Sequence, residues 1–122
     1  MEKLKFLCLD PDGTFCWIHT DRDHLLADFH AAIGCDMLEH VRLPYGLGCV
    51  VDEFGKIKTS PQPINPYASI LYPGTQCGDP LVGPVIFLRI GMVDGEPDWC
   101  PLYEHQVWVL CRLLGLEVPV DA

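Results

Sequence analysis

The stretch that decides the fold begins with Cys49-Val50-Val51-Asp52 and continues as far as Val85. The apolar run before Asp52 predicts a strand, and the Glu53-Phe54-Gly55-Lys56 sequence after it is typical of a turn. Asn65-Pro66 then predicts a short helix through Tyr72, because Asn caps helix N-termini and proline is tolerated at the first helical position. The segment Gly78-Asp79-Pro80-Leu81-Val82-Gly83-Pro84-Val85 leads into Val82–Ile90, which we expect to be a central strand with its proline near the start.

The residues before this stretch predict a hairpin, a helix and a further strand. Pro11-Asp12-Gly13 is a strong turn signal between two strand patterns. Thr20 with Asp23 three residues later resembles a capping box that opens a helix, and Gly34 suits the C-terminal end of that helix. The predicted elements are strand Lys3–Leu9, strand Thr14–His19, a helix ending at Ile33 with Leu25, Leu26 and Phe29 on its apolar face, and strand Met37–Leu43.

The residues after the central strand predict one more helix. Pro101 opens it, Gly115 ends it, and its apolar face carries Tyr103, Val107, Leu110 and Leu114. The order of elements is therefore β-β-α-β-β-α-β-α. This order predicts an α+β fold in a single small domain over residues 1–122, with a mixed sheet of about five strands, two main helices and one short helix.

The charge of the chain excludes several classes of protein. Seventeen Asp and Glu against eight Lys and Arg give a net charge of −9, so we expect no direct binding to nucleic acid. No apolar run approaches the roughly 20 residues that span a bilayer, and no export signal precedes the first strand, so we expect an intracellular protein without a membrane partner. The acids from Asp94 to Glu104 fit either a solvated loop or a surface that mimics nucleic acid towards a basic protein.

The cysteines, histidines and tryptophans form no recognisable reactive motif. The odd number of cysteines, seven, argues against a disulfide framework in an intracellular protein, and none lies within four residues of another. We therefore predict cysteines buried as small apolar residues, scattered structural histidines, no metal and no cofactor. The tryptophans Trp17, Trp99 and Trp108 predict core packing or a homodimer interface, with Trp99 the most exposed because its loop is polar.

The first turn carries a motif with a chemical interpretation. The residues Phe6-Leu7-Cys8-Leu9-Asp10-Pro11-Asp12-Gly13-Thr14 resemble the first motif of haloacid-dehalogenase-type phosphotransferases, a hydrophobic strand followed by Asp-x-Asp-Gly-Thr. The resemblance implies a Mg²⁺-dependent phosphatase in which Asp10 is the nucleophile and Asp12 the general acid/base. The later motifs of that superfamily fit poorly, and a hairpin turn with two solvated carboxylates is the alternative interpretation.

A broader resemblance covers most of the chain. It is carried by Asp52-Glu53-Phe54-Gly55-Lys56-Ile57-Lys58, by Pro63-Ile64-Asn65-Pro66-Tyr67-Ala68 and by Gly78-Asp79-Pro80-Leu81-Val82-Gly83. In order and spacing these segments resemble a small domain-of-unknown-function family found in bacteriophages, plasmids and conjugative elements. The resemblance implies a mobile-element origin, in the cytoplasm of a bacterial host, and it brings no established activity.

The best candidate binding surface lies in the same stretch. Lysines, a helix N-terminus and tyrosines can together hold a phosphate and stack on a base, and the residues in question are Lys56, Lys58, Asn65, Tyr67 and Tyr72. We therefore expect a non-enzymatic accessory protein that acts by stoichiometric binding of a host protein or a small nucleotide signal, in a role against host defence. The alternatives are the phosphatase that uses Asp10 and Asp12 and the acidic mimic of nucleic acid.

Overall fold

The computed structural model describes residues 2–57 and 62–121. In this part of the chain, six strands and three α-helices follow one another, with a short 3₁₀ helix (Pro73–Cys77) before the fifth strand. The strands are β1 (Leu4–Leu9), β2 (Phe15–Thr20), β3 (Leu38–Arg42), β4 (Gly48–Asp52), β5 (Val85–Val93) and β6 (Glu96–Cys100). The helices are α1 (Leu25–Ile33), α2 (Pro66–Leu71) and α3 (Glu104–Leu114).

The strands form one sheet in the order β2-β1-β5-β4-β3, and β6 pairs with the second half of β5. Strand β5 is the centre of the sheet because its first half pairs with β1 on one edge and with β4 on the other. Phe87 lies opposite Leu7 and opposite Cys49 in these two pairings. Every strand pairing in the described residues is antiparallel.

The alternation of side chains along β5 divides the core into two layers. Val85 and Phe87 point into the layer that α2 and α3 cover, together with Leu110 of α3. Ile86 and Leu88 point to the other face, where α1 covers them. Four consecutive residues of β5 are fully buried for this reason, which explains why this strand is the most hydrophobic in the sequence.

The α+β class is confirmed, and so are the glycine ends of α1 and α3 and the Asn cap of α2, whereas α3 begins at Glu104 and not at Pro101. Gly34 and Gly115 end α1 and α3 in the left-handed conformation, with φ of 75° and 69°. Asn65 caps α2 by accepting a hydrogen bond from the backbone N–H of Ala68. The predicted capping box at the start of α1 is wrong. The Thr20 hydroxyl donates to the Asp28 carboxylate, 2.6 Å away, and the Asp21 carboxylate accepts from the N–H of His24, the N-cap residue, at 3.0 Å.

The sheet differs from the prediction in its sixth strand and in being antiparallel where a mixed sheet was expected. Residues 94–101, interpreted from sequence as a long loop, form instead the turn of a hairpin followed by β6. Asp94 and Gly95 both have positive φ, 52° and 81°, as the commonest two-residue hairpin turn requires. A hairpin joins β5 to β6, and every other pair of neighbouring strands also runs in opposite directions, so the sheet contains no parallel pairing in the described residues.

The cysteines are mostly part of the core. Cys8, Cys35, Cys49, Cys100 and Cys111 are buried, whereas Cys16 and Cys77 are exposed. Burial raises the pKa of both the Cys8 and the Cys49 thiols to about 12. The helices of the described residues include none that combines the length and apolar character of a membrane span.

Candidate functional site

The predicted surface around Lys56 is divided by the fold. Lys56 and Tyr72 both line a small cavity of about 100 Å³, whose other polar lining residues are Glu39, Asp52, Glu53 and Asp79. The Lys56 ammonium group forms an ion pair with the Asp79 carboxylate. The surplus of carboxylates makes this cavity a poor place for a phosphate. Lys58, predicted to bind beside Lys56, lies outside the described residues.

Asn65 is a structural residue in this fold. Its side chain is fully buried, and its amide nitrogen donates to the carbonyl oxygens of Leu9, at 2.9 Å, and Gly83, at 3.0 Å. Its side-chain oxygen accepts from the N–H of Ala68 at 3.1 Å. These bonds join the end of β1, the approach to β5 and the start of α2, and they leave no exposed surface for a ligand.

Tyr67 lies at a third place, against the turn between β1 and β2. A Cβ atom added to Gly13 would lie 2.8 Å from the Tyr67 hydroxyl oxygen, so the ring covers this glycine closely. Gly13 has a φ of +93°, which the turn requires and which glycine adopts without strain. Of the predicted binding residues, the structure therefore brings together Lys56 and Tyr72 and separates them from Asn65 and Tyr67.

Asp10 and Asp12 lie in the same turn, in an arrangement that differs from a phosphatase site. Strand β1 continues directly into antiparallel β2, whereas the phosphatase resemblance implies a parallel-sheet core. Burial, and then the Asp12 charge, raise the pKa of Asp10, while hydrogen bonds from the backbone and side chain of Thr14 lower the pKa of Asp12. The two carboxylates of the turn therefore differ in their surroundings: Asp10 is partly buried, whereas Asp12 accepts a hydrogen bond from the Thr14 N–H.

A groove between α3 and the β1–β2 hairpin offers a better-built site. We name it the Trp groove and define it by its lining residues Lys5, Trp17, Pro101, Leu102, Glu104, Val107, Trp108 and Val118. Its volume is about 410 Å³, and two indole rings, a lysine and a glutamate supply its aromatic and charged groups. This size and this mixture of apolar walls with few polar groups are typical of small-molecule sites.

Cations lie over the aromatic rings in and beside the Trp groove. The Lys5 ammonium is 4.3 Å from the centre of the Trp17 ring, and the Arg112 guanidinium is 5.5 Å from that of Trp108. Beside the groove, the Arg89 guanidinium lies 3.9 Å from the centre of the Tyr103 ring. These are the cation–π pairs of the described residues, and they involve α3, its N-cap Tyr103 or the β1–β2 hairpin.

The segment 116–121, which follows α3, contributes Val118 to the lining of the Trp groove and contacts two of its other lining residues. Its Pro119 carbonyl accepts a hydrogen bond of 2.9 Å from the indole N–H of Trp17. Its Asp121 carboxylate is bound by Lys5 at 2.9 Å and by His19 at 2.7 Å. The hydrogen bonds from Lys5, and then those from His19, lower the pKa of Asp121.

This groove was not predicted from the sequence, because Trp99 was expected to be the exposed tryptophan. Trp99 packs on the Phe29 ring, with centroids 5.8 Å apart, whereas Trp108 is 64% exposed. The helical pattern held the necessary signal: Val107 and Leu110 face the core, so their neighbour Trp108 must point away from it. An exposed tryptophan on a helix is a stronger indication of a binding surface than an exposed residue in a polar loop.

The acidic segment is held to the body of the protein by an arginine. Arg22 lies 3.4 Å from the Asp98 carboxylate and donates to the Trp99 carbonyl on β6. Asp98 also accepts from the Trp99 N–H, so side chains satisfy both backbone groups of Trp99. Pro97 has no N–H, so the edge of β6 presents few free donors for pairing with another strand. One of the acids of the predicted mimic, Asp98, is therefore an internal partner of Arg22.

Within residues 2–57 and 62–121, no group of three or more His, Cys, Asp or Glu side chains is placed to hold a metal ion.

Comparison with known proteins places the chain in a family without assigning it a reaction. No curated protein and no solved structure matches it. One family model matches residues 4–114, from the first residue of β1 to the last residue of α3, and it is described as a domain of unknown function, DUF3846. The match contains all six strands and all three helices described above, so the chain belongs to the DUF3846 family of domains of unknown function.

Proposed function

We propose that the protein is a non-enzymatic binding protein that captures an aromatic anion of the nucleotide class in the Trp groove. The observation that carries the proposal is the placement of cations on aromatic rings around one groove of an otherwise acidic chain. A net charge of −9 repels anions in general, so a site for one needs local basic groups. Lys5 and Arg112 supply them at the two tryptophans of the groove.

The groups of the Trp groove match the parts of a nucleotide. The Trp17 and Trp108 rings offer π-faces for a base, and base–aromatic stacking contributes about 1–3 kcal/mol per base in single-strand binders. The ammonium of Lys5 can hold a phosphate as a point charge. Glu104 can accept hydrogen bonds from an exocyclic amine, which gives a bound base an orientation.

We propose a biological setting on the basis of the family resemblance. A small accessory protein of a phage, plasmid or conjugative element in a bacterial cytoplasm can blunt host defence by stoichiometric capture of a nucleotide signal. A host protein is the second candidate partner. The observation in its favour is the outer face of α3, where Val109 and Leu113 are each 39% exposed beside Trp108.

The test uses the indole N–H signals of the three tryptophans in ¹⁵N-labelled protein. Nucleoside monophosphates are titrated to about 5 mM, where a ligand with a Kd of about 1 mM is mostly bound. We expect the Trp17 and Trp108 signals to shift together while the Trp99 signal, from the opposite face of the sheet, stays in place. Static Trp17 and Trp108 signals with every nucleotide would refute the proposal.

Matched variants separate groove binding from a general effect. Trp108→Ala should weaken nucleotide binding at least about tenfold, since it removes one stacking surface. Ile70→Ala is the control, because Ile70 is 70% exposed on α2, outside the groove. Equal affinities of the two variants would contradict stacking on Trp108.

The phosphatase alternative has its own test. Asp10→Asn removes the carboxylate that the motif makes a nucleophile, and an aryl phosphate assay with Mg²⁺ compares the variant with the wild type. We expect the same background turnover from both proteins. Turnover that Asp10→Asn abolishes would establish an enzyme and overturn the non-enzymatic proposal.

A further inference from the structure

We propose that Lys5 and His19 form an anion subsite at the edge of the Trp groove, and that Asp121 occupies this subsite as an internal carboxylate until a ligand's phosphate displaces it. This inference rests on the proposed function, and it identifies which residues recognise the charged part of the ligand. It also makes segment 116–121 a competitor of the ligand.

The subsite is positioned by the register of the first hairpin. Lys5 and His19 lie directly opposite each other in the β1–β2 pairing, so their side chains leave the sheet on the same face. Each binds a different oxygen of Asp121, Lys5 at 2.9 Å and His19 at 2.7 Å. Two nitrogen donors on two oxygens of one carboxylate is also an arrangement that can hold two phosphate oxygens.

The subsite is continuous with the aromatic part of the groove. The Lys5 ammonium that binds Asp121 also lies 4.3 Å from the centre of the Trp17 ring. Trp17 in turn donates its indole N–H to the Pro119 carbonyl, so the segment that fills the subsite also contacts Trp17. A phosphate therefore cannot bind both Lys5 and His19 while Asp121 keeps its contacts with them.

The contacts of the segment are weak enough for exchange. The side chains of Lys5, His19 and Asp121 are 46%, 50% and 35% exposed, and ion pairs of such exposure contribute little to stability. Val120, between the two anchoring residues, is 90% exposed and adds no packing. A phosphate with its larger negative charge can thus replace a single carboxylate here.

The experiment compares AMP with adenosine, two probes that share a base and differ in the phosphate. Binding is followed through the Trp17 and Trp108 indole signals. For the wild type we expect AMP to bind at least about threefold more tightly than adenosine. Asp121→Asn should tighten AMP binding about two- to fivefold, because that is the change in affinity that the energy of an exposed ion pair corresponds to. The affinity for adenosine should stay unchanged. Lys5→Met should remove the preference for AMP.

Control variants carry the same change of charge at other places. Glu117→Gln removes an exposed acid from the same segment, and Lys3→Met removes an exposed lysine close to Lys5 in sequence. Neither should alter the ratio of AMP to adenosine affinity. Should Lys5→Met unfold, as its melting curve would show, His19→Gln provides a second variant with the same expected loss of preference.

The outcomes separate the subsite from the proposed function. Equal binding of AMP and adenosine, both shifting the groove tryptophans, would overturn the subsite and leave the aromatic site standing. Weaker AMP binding by Asp121→Asn would also overturn the subsite, because removing a competitor cannot lower the affinity for the ligand. No response to either probe would count against the proposed function itself.

Discussion

Asn65→Ala is the change that best tests whether the centre of the predicted surface is structural. The Asn65 side chain is fully buried and makes three hydrogen bonds, to Leu9, Gly83 and Ala68, of 2.9, 3.0 and 3.1 Å. Each bond goes to a backbone group. The substitution leaves those backbone groups in place and removes their partner, which is the costly way to lose a buried hydrogen bond.

The magnitude follows from these three bonds. Loss of the N-cap bond to Ala68 costs about 1 kcal/mol. Leaving the Leu9 and Gly83 carbonyls without their donor costs about 1–2 kcal/mol each, so the sum is about 3–5 kcal/mol. A domain of this size has a free energy of unfolding of about 5–15 kcal/mol, so the substitution should remove between about a fifth and all of it. The melting temperature should fall by about 10–20 °C.

Urea unfolding followed by tryptophan fluorescence measures the difference. Gln76→Ala is the matched control, because it truncates an exposed amide in the 3₁₀ helix and should change the free energy of unfolding by less than about 0.5 kcal/mol. A loss below about 1 kcal/mol for Asn65→Ala would refute the reasoning, since the three bonds would then contribute nothing beyond what water supplies. Unchanged stability with weaker nucleotide binding would restore the role predicted from sequence.

Three further predictions concern reactivity, strain and pH. A maleimide under native conditions should label only the two exposed cysteines, Cys16 and Cys77, giving two adducts by intact mass, and more adducts before unfolding would contradict the burial of the other five. Gly13→Ala should destabilise the protein by more than Gly95→Ala. Both glycines have positive φ (93° and 81°), so an alanine costs about 1–3 kcal/mol in strain at either, but only at Gly13 does the added Cβ lie 2.8 Å from another residue, at the Tyr67 hydroxyl oxygen. Equal urea midpoints would refute the close contact. The pKa of Asp121 is lowered by its Lys5 and His19 partners, so its contribution to stability is fully present above the ordinary value of about 3.9 and is lost as pH falls through the lower folded value. The Trp17 indole signal should therefore change below about pH 4, and a midpoint above that pH would be contrary to the ion pair.

Much of the fold could be predicted because local signals agree with the tertiary structure. Glycines in the left-handed conformation end α1 and α3, and the Asn65-Pro66 pair starts α2, as their residue types favour. Two of the failures have different causes. Thr20–Asp23 has the pattern of a capping box, but the Thr20 hydroxyl donates to Asp28 and the His24 N–H donates to Asp21 instead. Residues 94–101 have the polarity of a loop, but pairing with β5 makes most of them a strand.

The candidate site was less predictable because it depends on register and on contacts between distant segments. Lys56, Asn65 and Tyr67 are close in the chain and were predicted to share a surface, but the fold gives them three different surroundings. Conversely, Lys5 and Asp121 meet across nearly the whole chain, and no local pattern marks that contact. The antiparallel register places Lys5 opposite His19, and the segment after α3 brings Asp121 to both side chains.

In a small acidic domain, a function can be sought where basic side chains are concentrated on one part of the surface. Composition excludes a broad anionic partner, but it averages over the surface and hides a local excess of cations. Here Lys5 and Arg112 are held over the indoles of one groove, and an internal carboxylate already occupies the nearest pair of donors. A carboxylate held by a lysine and a histidine beside an aromatic wall is the arrangement that a phosphate attached to a base would need. On the proposal made above, Asp121 holds the place that the phosphate of a ligand would take.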